Sequence, residues 1–217
     1  MAIGGDLSEA RLLAAYSRGI FPWYCEGEPI LWWSPDPRLI LEPSQFHMPR
    51  RLRNLIRQDR FTVTMDRCFD GVIEACANVP RPGQDGIWLT KDMIAAYRHL
   101  HRLGFAHPVE CRHGSSLAGG LYGISLGRCF FGESMFHHMP DASKVALAAL
   151  VRQMLVWKFD FIDCQVTTQH LLRSGARHLS RQCFLNRLQA SITEATHRGP
   201  WRFTGWPEHL ATSGITL

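Results

Sequence analysis

Three polar side chains interrupt the most apolar stretches of this 217-residue chain. Glu133 lies inside Phe130-Phe131-Gly132-Glu133-Ser134-Met135-Phe136. Asp163 and Gln165 lie inside Phe161-Ile162-Asp163-Cys164-Gln165. A carboxylate in such surroundings must find a partner or shift its pKa, because an unpaired buried charge is costly. Asp163 and Gln165 are two apart in a strand-like run, so both are expected on one face. That makes a polar pair at the end of a buried strand, a frequent place for chemistry. A lone acid of this kind is more often a structural hydrogen-bond partner; the grouping of three favours chemistry.

Other chemistries fit less well. The chain has 11 histidines but no H-E-x-x-H and no zinc-like Cys/His spacing, and His137-His138 diverge, so no metal site is expected. Cys164 alternates away from Asp163 and reads as a buried small hydrophobe, not a nucleophile. Gly119-Gly120 and Gly123 lack a following Walker lysine; they mark a bulge or a close backbone approach. Seven cysteines without a C-x-x-C pair do not make a disulfide framework, which suits a reducing cytoplasm.

The elements that must position these groups are legible from periodicity and punctuation. A first helix, 9–18, is capped by Ser8 or Asp6 and stopped by Gly19. Proline-rich and tryptophan-rich loops follow to residue 38. An arginine-rich helix starts at Pro49, with Arg50, Arg53, Arg57 and Arg60 on one face and Leu52, Leu55 and Ile56 on another. A strand at 61–65 and a helix near 69–76 precede the breaker 80–86. Thr90 caps a helix over 91–103. Strands at 106–111, 117–124 and 128–136 form an antiparallel meander. Asp141 caps a long helix, 142–157, and a strand at 159–165 closes the unit. Strand–strand–strand–helix–strand predicts an α+β fold with the helix over one face of a mixed, mainly antiparallel sheet. A composition shift predicts a small N-terminal domain, 1–60, and a larger domain, 61–217.

Hydrophobic residues make up 46% and charged residues 20%, ordinary for a globular chain with a sizeable core. No apolar run reaches the roughly 18 residues of a membrane span. The first six residues have neither the basic nor the apolar region of a signal peptide. The formal charge of +5 is modest, but five arginines crowd residues 50–60 beside a single acid. That face is either a solvated helix surface or a phosphate contact.

The motifs GGDLSEARLLAAYSRGIFPW (4–23), PILWWSPDPR (29–38), FDGVIEACA (69–77), LAGGLYGISLGRCFFGESMF (117–136), DASKVALAAL (141–150) and FIDCQVTTQHLLRSGA (161–176) run in order over nearly the whole chain. On them the chain resembles the bacterial leucyl/phenylalanyl-tRNA–protein transferases. The resemblance implies transfer of Leu or Phe, and less readily Met, from aminoacyl-tRNA to the N-terminal Arg or Lys of an acceptor protein. The acceptor is thereby marked for degradation by the N-end rule. It implies no cofactor, no metal and no membrane partner, a cytoplasmic protein, and a large domain similar to the acetyltransferase fold. A monomer is expected, since no heptad or exposed apolar stripe is visible.

By the same resemblance, Leu121, Phe130, Leu150, Met154 and Ile162 line an apolar pocket for the donor side chain. Trp23 and Trp88, with Tyr16 beside them, sandwich the terminal adenine of tRNA. Arg50, Arg53, Arg57 and Arg60 hold its acceptor stem by phosphates, which carry no sequence code. Asp163, oriented with Gln165, is expected to accept a proton from the attacking amine or anchor it, and Glu133 to hold the reacting end of the donor; the alternative is that one of these acids, or a nearby carboxylate, pairs with the basic acceptor side chain. His137-His138, Cys111-Arg112 and Arg173-Ser174 depart from the family pattern without removing any of these residues. Two other classes compete. A non-catalytic tRNA-binding module would not need Glu133, Asp163 and Gln165. An acyltransferase with a small-molecule donor would not need the arginines and the tryptophans.

Overall fold

A computed structural model describes residues 1–79 and 89–204 in two sheets. The small sheet has the order β1-β3-β2, from β1 (Ala2–Ile3), β2 (Phe21–Pro22) and β3 (Leu31–Trp33), with α1 (Glu9–Tyr16) between β1 and β2. The chain then supplies β4 (Arg38–Leu41), α2 (Arg50–Arg57), β5 (Thr62–Met65), α3 (Phe69–Asn78) and α4 (Lys91–Arg102). The meander follows as β6 (Ala106–His113), β7 (Ser116–Leu126) and β8 (Cys129–His137). Next come α5 (Ala142–Val156), β9 (Phe161–Gln165), α6 (Gln169–Arg173), β10 (Arg177–Leu179) and α7 (Arg181–Ile192).

The large sheet has the order β10-β4-β9-β8-β7-β6-β5. β8 and β9 are parallel and α5 is the crossover between them; every other neighbouring pair is antiparallel. The α+β class read from the sequence is therefore the one observed. β4 is a short apolar strand, and its place between β10 and β9 puts residues 38–41 in the large sheet. The division between the two sheets thus falls at the loop between β3 and β4, within the span 1–60 expected as one unit.

Alternation along the central strands feeds two cores. Leu121, Phe130 and Ile162 face α5 and the Leu52–Ile56 side of α2. Their neighbours Tyr122, Phe131 and Phe161 face the opposite way, toward α1, α3, α4 and α7. Helices thus cover both faces, not only the one expected from α5. Gly119 shows why a glycine is needed where α5 starts. A Cβ there would lie 2.7 Å from Ala142 Cβ and 2.9 Å from the Ser143 nitrogen.

Two local expectations are corrected. α2 ends at Arg57, and Asp59 adopts a left-handed φ of 50°, so Arg60 follows the helix instead of sharing its face. Asp141 stands at the start of α5 but does not cap it with its side chain; its Oδ1 instead accepts from Lys144 Nζ at 2.5 Å. Thr90 does cap α4, its Oγ1 accepting from the Met93 nitrogen.

Candidate active site

The site is made by a gap in the large sheet. β8 and β9 pair from Cys129↔Phe161 to Phe131↔Asp163, and no further, although β8 continues to His137 against β7. β9 parts from β8 there but stays paired with β4 as far as Gln165, which is left-handed with φ of 60°. Only a small fraction of non-glycine residues adopt this region, at a cost of order 1–3 kcal/mol, so surrounding contacts must hold it there. One is visible: the Gln165 nitrogen donates to Asp163 Oδ1 at 3.0 Å.

On the α5 side of the gap lies a cavity of about 220 Å³. Leu121, Phe130, Leu150 and Ile162 line it, as expected from the sequence, together with Cys164, Leu147 and Leu171. Met154 is fully buried one turn further along α5 and is not part of the lining. The wall is mostly apolar. Glu133 is the acid on it, a half-buried residue reaching across the gap.

A hydrogen-bonded row converges on Glu133 from the other face. Tyr97 Oη donates to Oε2 at 2.9 Å, and Gln165 Nε2 donates to Oε1 at 2.7 Å. The Tyr16 hydroxyl lies 2.8 Å from that of Tyr97. Burial raises the Glu133 carboxyl to about 7, against the hydrogen bonds from Tyr16, Tyr97 and Gln165, which favour the anion. Burial and the Glu133 charge hold both phenols well above the usual tyrosine value, so they stay protonated donors. A carboxyl poised near neutrality among fixed donors is suited to take up and return a proton.

Asp163 has a different setting. It is wholly buried, and Arg38 grips it through both oxygens: Nε donates to Oδ1 at 2.8 Å and Nη2 to Oδ2 at 2.6 Å. Arg38 is 1% exposed, and its guanidinium lies 4.9 Å from the Phe21 ring centre and 4.7 Å from that of Phe184. Such a pair is a fixed scaffold, with its charge neutralised and its lone pairs largely engaged.

The remaining expected residues are placed as follows. Tyr16 is fully buried, its ring against Phe131 at 5.1 Å, so it meets the site by its hydroxyl and not by an exposed face. Trp23 is half-buried and tilted against Trp33, whose Nε1 donates to the Trp23 carbonyl at 2.7 Å. Trp88 lies outside the described residues. Arg50, Arg57 and Arg60 are exposed and Arg53 is half-buried, while Leu52 and Ile56 anchor α2 to the core. Sequence reasoning misses Arg38, Tyr97 as a polar group, and Leu147, Leu171 and Cys164 as pocket wall. Tyr97 is legible there only as an inward helix residue. Cys164 is buried, as its alternation indicates.

Known proteins place the chain clearly. Residues 40–189 match the family model described as leucyl/phenylalanyl-tRNA protein transferase, and residues 5–36 match the model of that family's N-terminal domain. The N-terminal match ends in the loop between β3 and β4 and the other begins within β4, close to where the sheets divide. A leucyl/phenylalanyl-tRNA–protein transferase from Anaeromyxobacter sp. (strain Fw109-5) is 56% identical over 93% of this chain and 86% of its own. Proteins of the same name from Nitratidesulfovibrio vulgaris (strain DP4) and Desulforapulum autotrophicum are 54% and 52% identical. They align over 93% and 95% of this chain and 86% and 90% of theirs.

Proposed function

The chain belongs to the leucyl/phenylalanyl-tRNA–protein transferase family, and on that footing we propose how its residues divide the work of aminoacyl transfer. The observation that carries the reading is the apolar cavity of about 220 Å³ with Glu133 at its polar end. A leucine, phenylalanine or methionine side chain enters this cavity by shape and burial. Its ester carbonyl then sits at the gap between β8 and β9, next to Glu133 and Gln165.

The reaction is aminolysis. The acceptor's α-amine nitrogen bonds to the ester carbon, and the bond from that carbon to the ribose oxygen breaks. One amine proton ends on the ribose hydroxyl. The α-amine has a reference pKa of about 7.7–8.0, so a useful fraction is neutral at physiological pH. Gln165 gives its Nε2 to Glu133, which leaves its carbonyl oxygen to accept from the incoming amine and align it. Glu133, near 7, takes the proton and passes it to the leaving oxygen. Tyr97 and Tyr16 keep the carboxylate oriented. Asp163 is a positioning residue: pinned by Arg38, it holds the left-handed Gln165 in place. Its burial and occupied oxygens favour this role over direct proton uptake.

The exposed arginines of α2 supply phosphate contacts to the tRNA, and Trp23 with Trp88 stacks its terminal adenine. The acceptor is a protein with N-terminal Arg or Lys, marked by this transfer for degradation by the N-end rule, and the enzyme acts as a cytoplasmic monomer. Among the described residues no helix is long and apolar enough to cross a membrane. The test is transfer of labelled leucine from charged tRNA to a peptide beginning with arginine, by wild type and by Glu133→Gln. Robust transfer by wild type and its loss in the variant is the expected result. Equal rates would remove Glu133 from the mechanism.

A further inference from the structure

A second cavity, of about 290 Å³, adjoins the donor pocket. Its charged rim is Arg51 from α2, Lys144 from α5 and Arg173 from α6, with Asp141 as the acid among its lining residues and His170 of α6 in its wall. Lys144 sits 2.5 Å from Asp141, and Arg51 reaches the same carboxylate at 3.8 Å. Arg173 is exposed and makes no ion pair among the described residues. His170 Nε2 is buried in the wall and has no hydrogen-bond partner. Three cations, Arg51, Lys144 and Arg173, against one acid leave this hollow positive.

Its connections decide what it would hold. Leu147 lines both this cavity and the donor pocket, so the two share a wall. Arg51 and Asp141 line both this cavity and an open groove of about 480 Å³ along α2, beside Arg50, Asn54 and Arg60. The groove thus adjoins the cationic hollow and the hollow adjoins the apolar pocket, which places basic surface next to the pocket for the group that is transferred. A single-stranded polyanion carrying an apolar acyl group at its tip has that sequence of properties.

We propose that the hollow between α2, α5 and α6 is the phosphate subsite for the single-stranded 3′ end of the donor tRNA, with Lys144 and Arg173 as its contacts. The assignment rests on the transferase reading above and extends phosphate binding beyond the arginines of α2 to two further helices. It gives the hollow a mechanical purpose. Phosphates seated there fix the ribose at a set distance from the donor pocket, and so the ester at the gap between β8 and β9.

The test compares two donors in the transfer assay: leucine esterified to adenosine, and leucine esterified to a short oligonucleotide with the 3′-terminal tRNA sequence. Arg173→Gln and Lys144→Gln should raise KM for the oligonucleotide several-fold and leave KM for the adenosine ester unchanged. Arg202→Gln, an exposed cation on the C-terminal segment, should change neither. With whole leucyl-tRNA, each single-strand phosphate that a variant no longer neutralises should lower the slope of log Kd against log salt by about 0.7. An unchanged ratio between the two donors, with an unchanged salt slope, overturns the assignment while leaving the transferase reading intact. A rise in acceptor-peptide KM instead would give the hollow to an acidic stretch of the acceptor and likewise overturn it. Wild-type enzyme inactive with both donors and with leucyl-tRNA would sink the transferase reading itself, and the subsite with it.

Discussion

Replacing Asp163 by asparagine should damage the fold before it informs about chemistry, and the structure says by how much. The carboxylate is 0% exposed and receives two charge-assisted hydrogen bonds from an arginine that is 1% exposed. A carboxamide in its place would offer one oxygen and a competing NH2 to a guanidinium that has no route to water. Breaking a buried pair from one side costs about 3–5 kcal/mol, because it leaves a charge uncompensated. Against a total stability of about 5–15 kcal/mol this is a large share. For a chain of this length it corresponds to a fall in Tm of roughly 6–20 °C. The informative partner is the double variant Arg38→Met/Asp163→Leu, which buries no charge and keeps similar volume. It should regain most of the lost Tm. It should not regain transfer, because the Gln165 nitrogen would lose its acceptor and the left-handed turn its support. Thermal melts and leucine transfer on wild type, Asp163→Asn and the double variant give the comparison. A melt of Asp163→Asn within about 0.5 kcal/mol of wild type would refute the buried-pair reasoning, using the scale of ordinary surface changes. Wild-type transfer by the double variant would refute the positioning role.

Other consequences are as direct. Glu133 has a folded-state pKa of about 7 against an ordinary value of 4.5, so the folded form holds its proton longer than the unfolded chain. Wild-type stability should therefore fall as pH rises from about 4.5 to about 7, by about 3 kcal/mol, and level off above. The unfolding free energy of Glu133→Gln relative to wild type should grow by that amount over the same window; a flat difference would contradict the raised pKa. Tyr97→Phe removes a hydrogen bond that favours the Glu133 anion, so the acidic limb of the kcat/KM profile should move to higher pH. No movement would take Tyr97 out of the row. Cys164→Met narrows the cavity from its wall, and should cut kcat/KM for phenylalanyl-tRNA roughly 10-fold or more relative to leucyl-tRNA, the scale of a methylene-sized change.

The sequence shows the parts of the site and not their pairing. Glu133, Asp163 and Gln165 stand out because each breaks an apolar strand, and four of the five expected pocket residues share one cavity wall. What it hides is long-range. Arg38 is 125 residues from Asp163, and nothing local to either announces that one neutralises the other. β4, at four residues, is too short for alternation to declare a strand, so the loop-rich segment after residue 34 reads as part of the small domain. The left-handed Gln165 is invisible to a period-two argument. Its side chain reaches Glu133 across the gap that opens where β9 parts from β8. α6, β10 and α7 carry weak periodicity and have no counterpart among the expected elements. The arginine stripe is overextended by one residue because the turn at Asp59 has no strong signature. The resemblance, by contrast, rests on long ordered motifs, and relatives more than half identical align over 93% or more of the chain.

The most direct test of Glu133 as the proton carrier is the pH dependence of leucine transfer to an arginine-initiated peptide by wild type and Glu133→Gln. Wild-type kcat/KM should rise through about 7 as Glu133 ionises and rise again as the acceptor amine deprotonates. In the variant the first rise should be gone, the second kept, and the plateau lowered by about 10²-fold or more, the usual worth of a positioned base. A variant that keeps both rises at a wild-type plateau would contradict it.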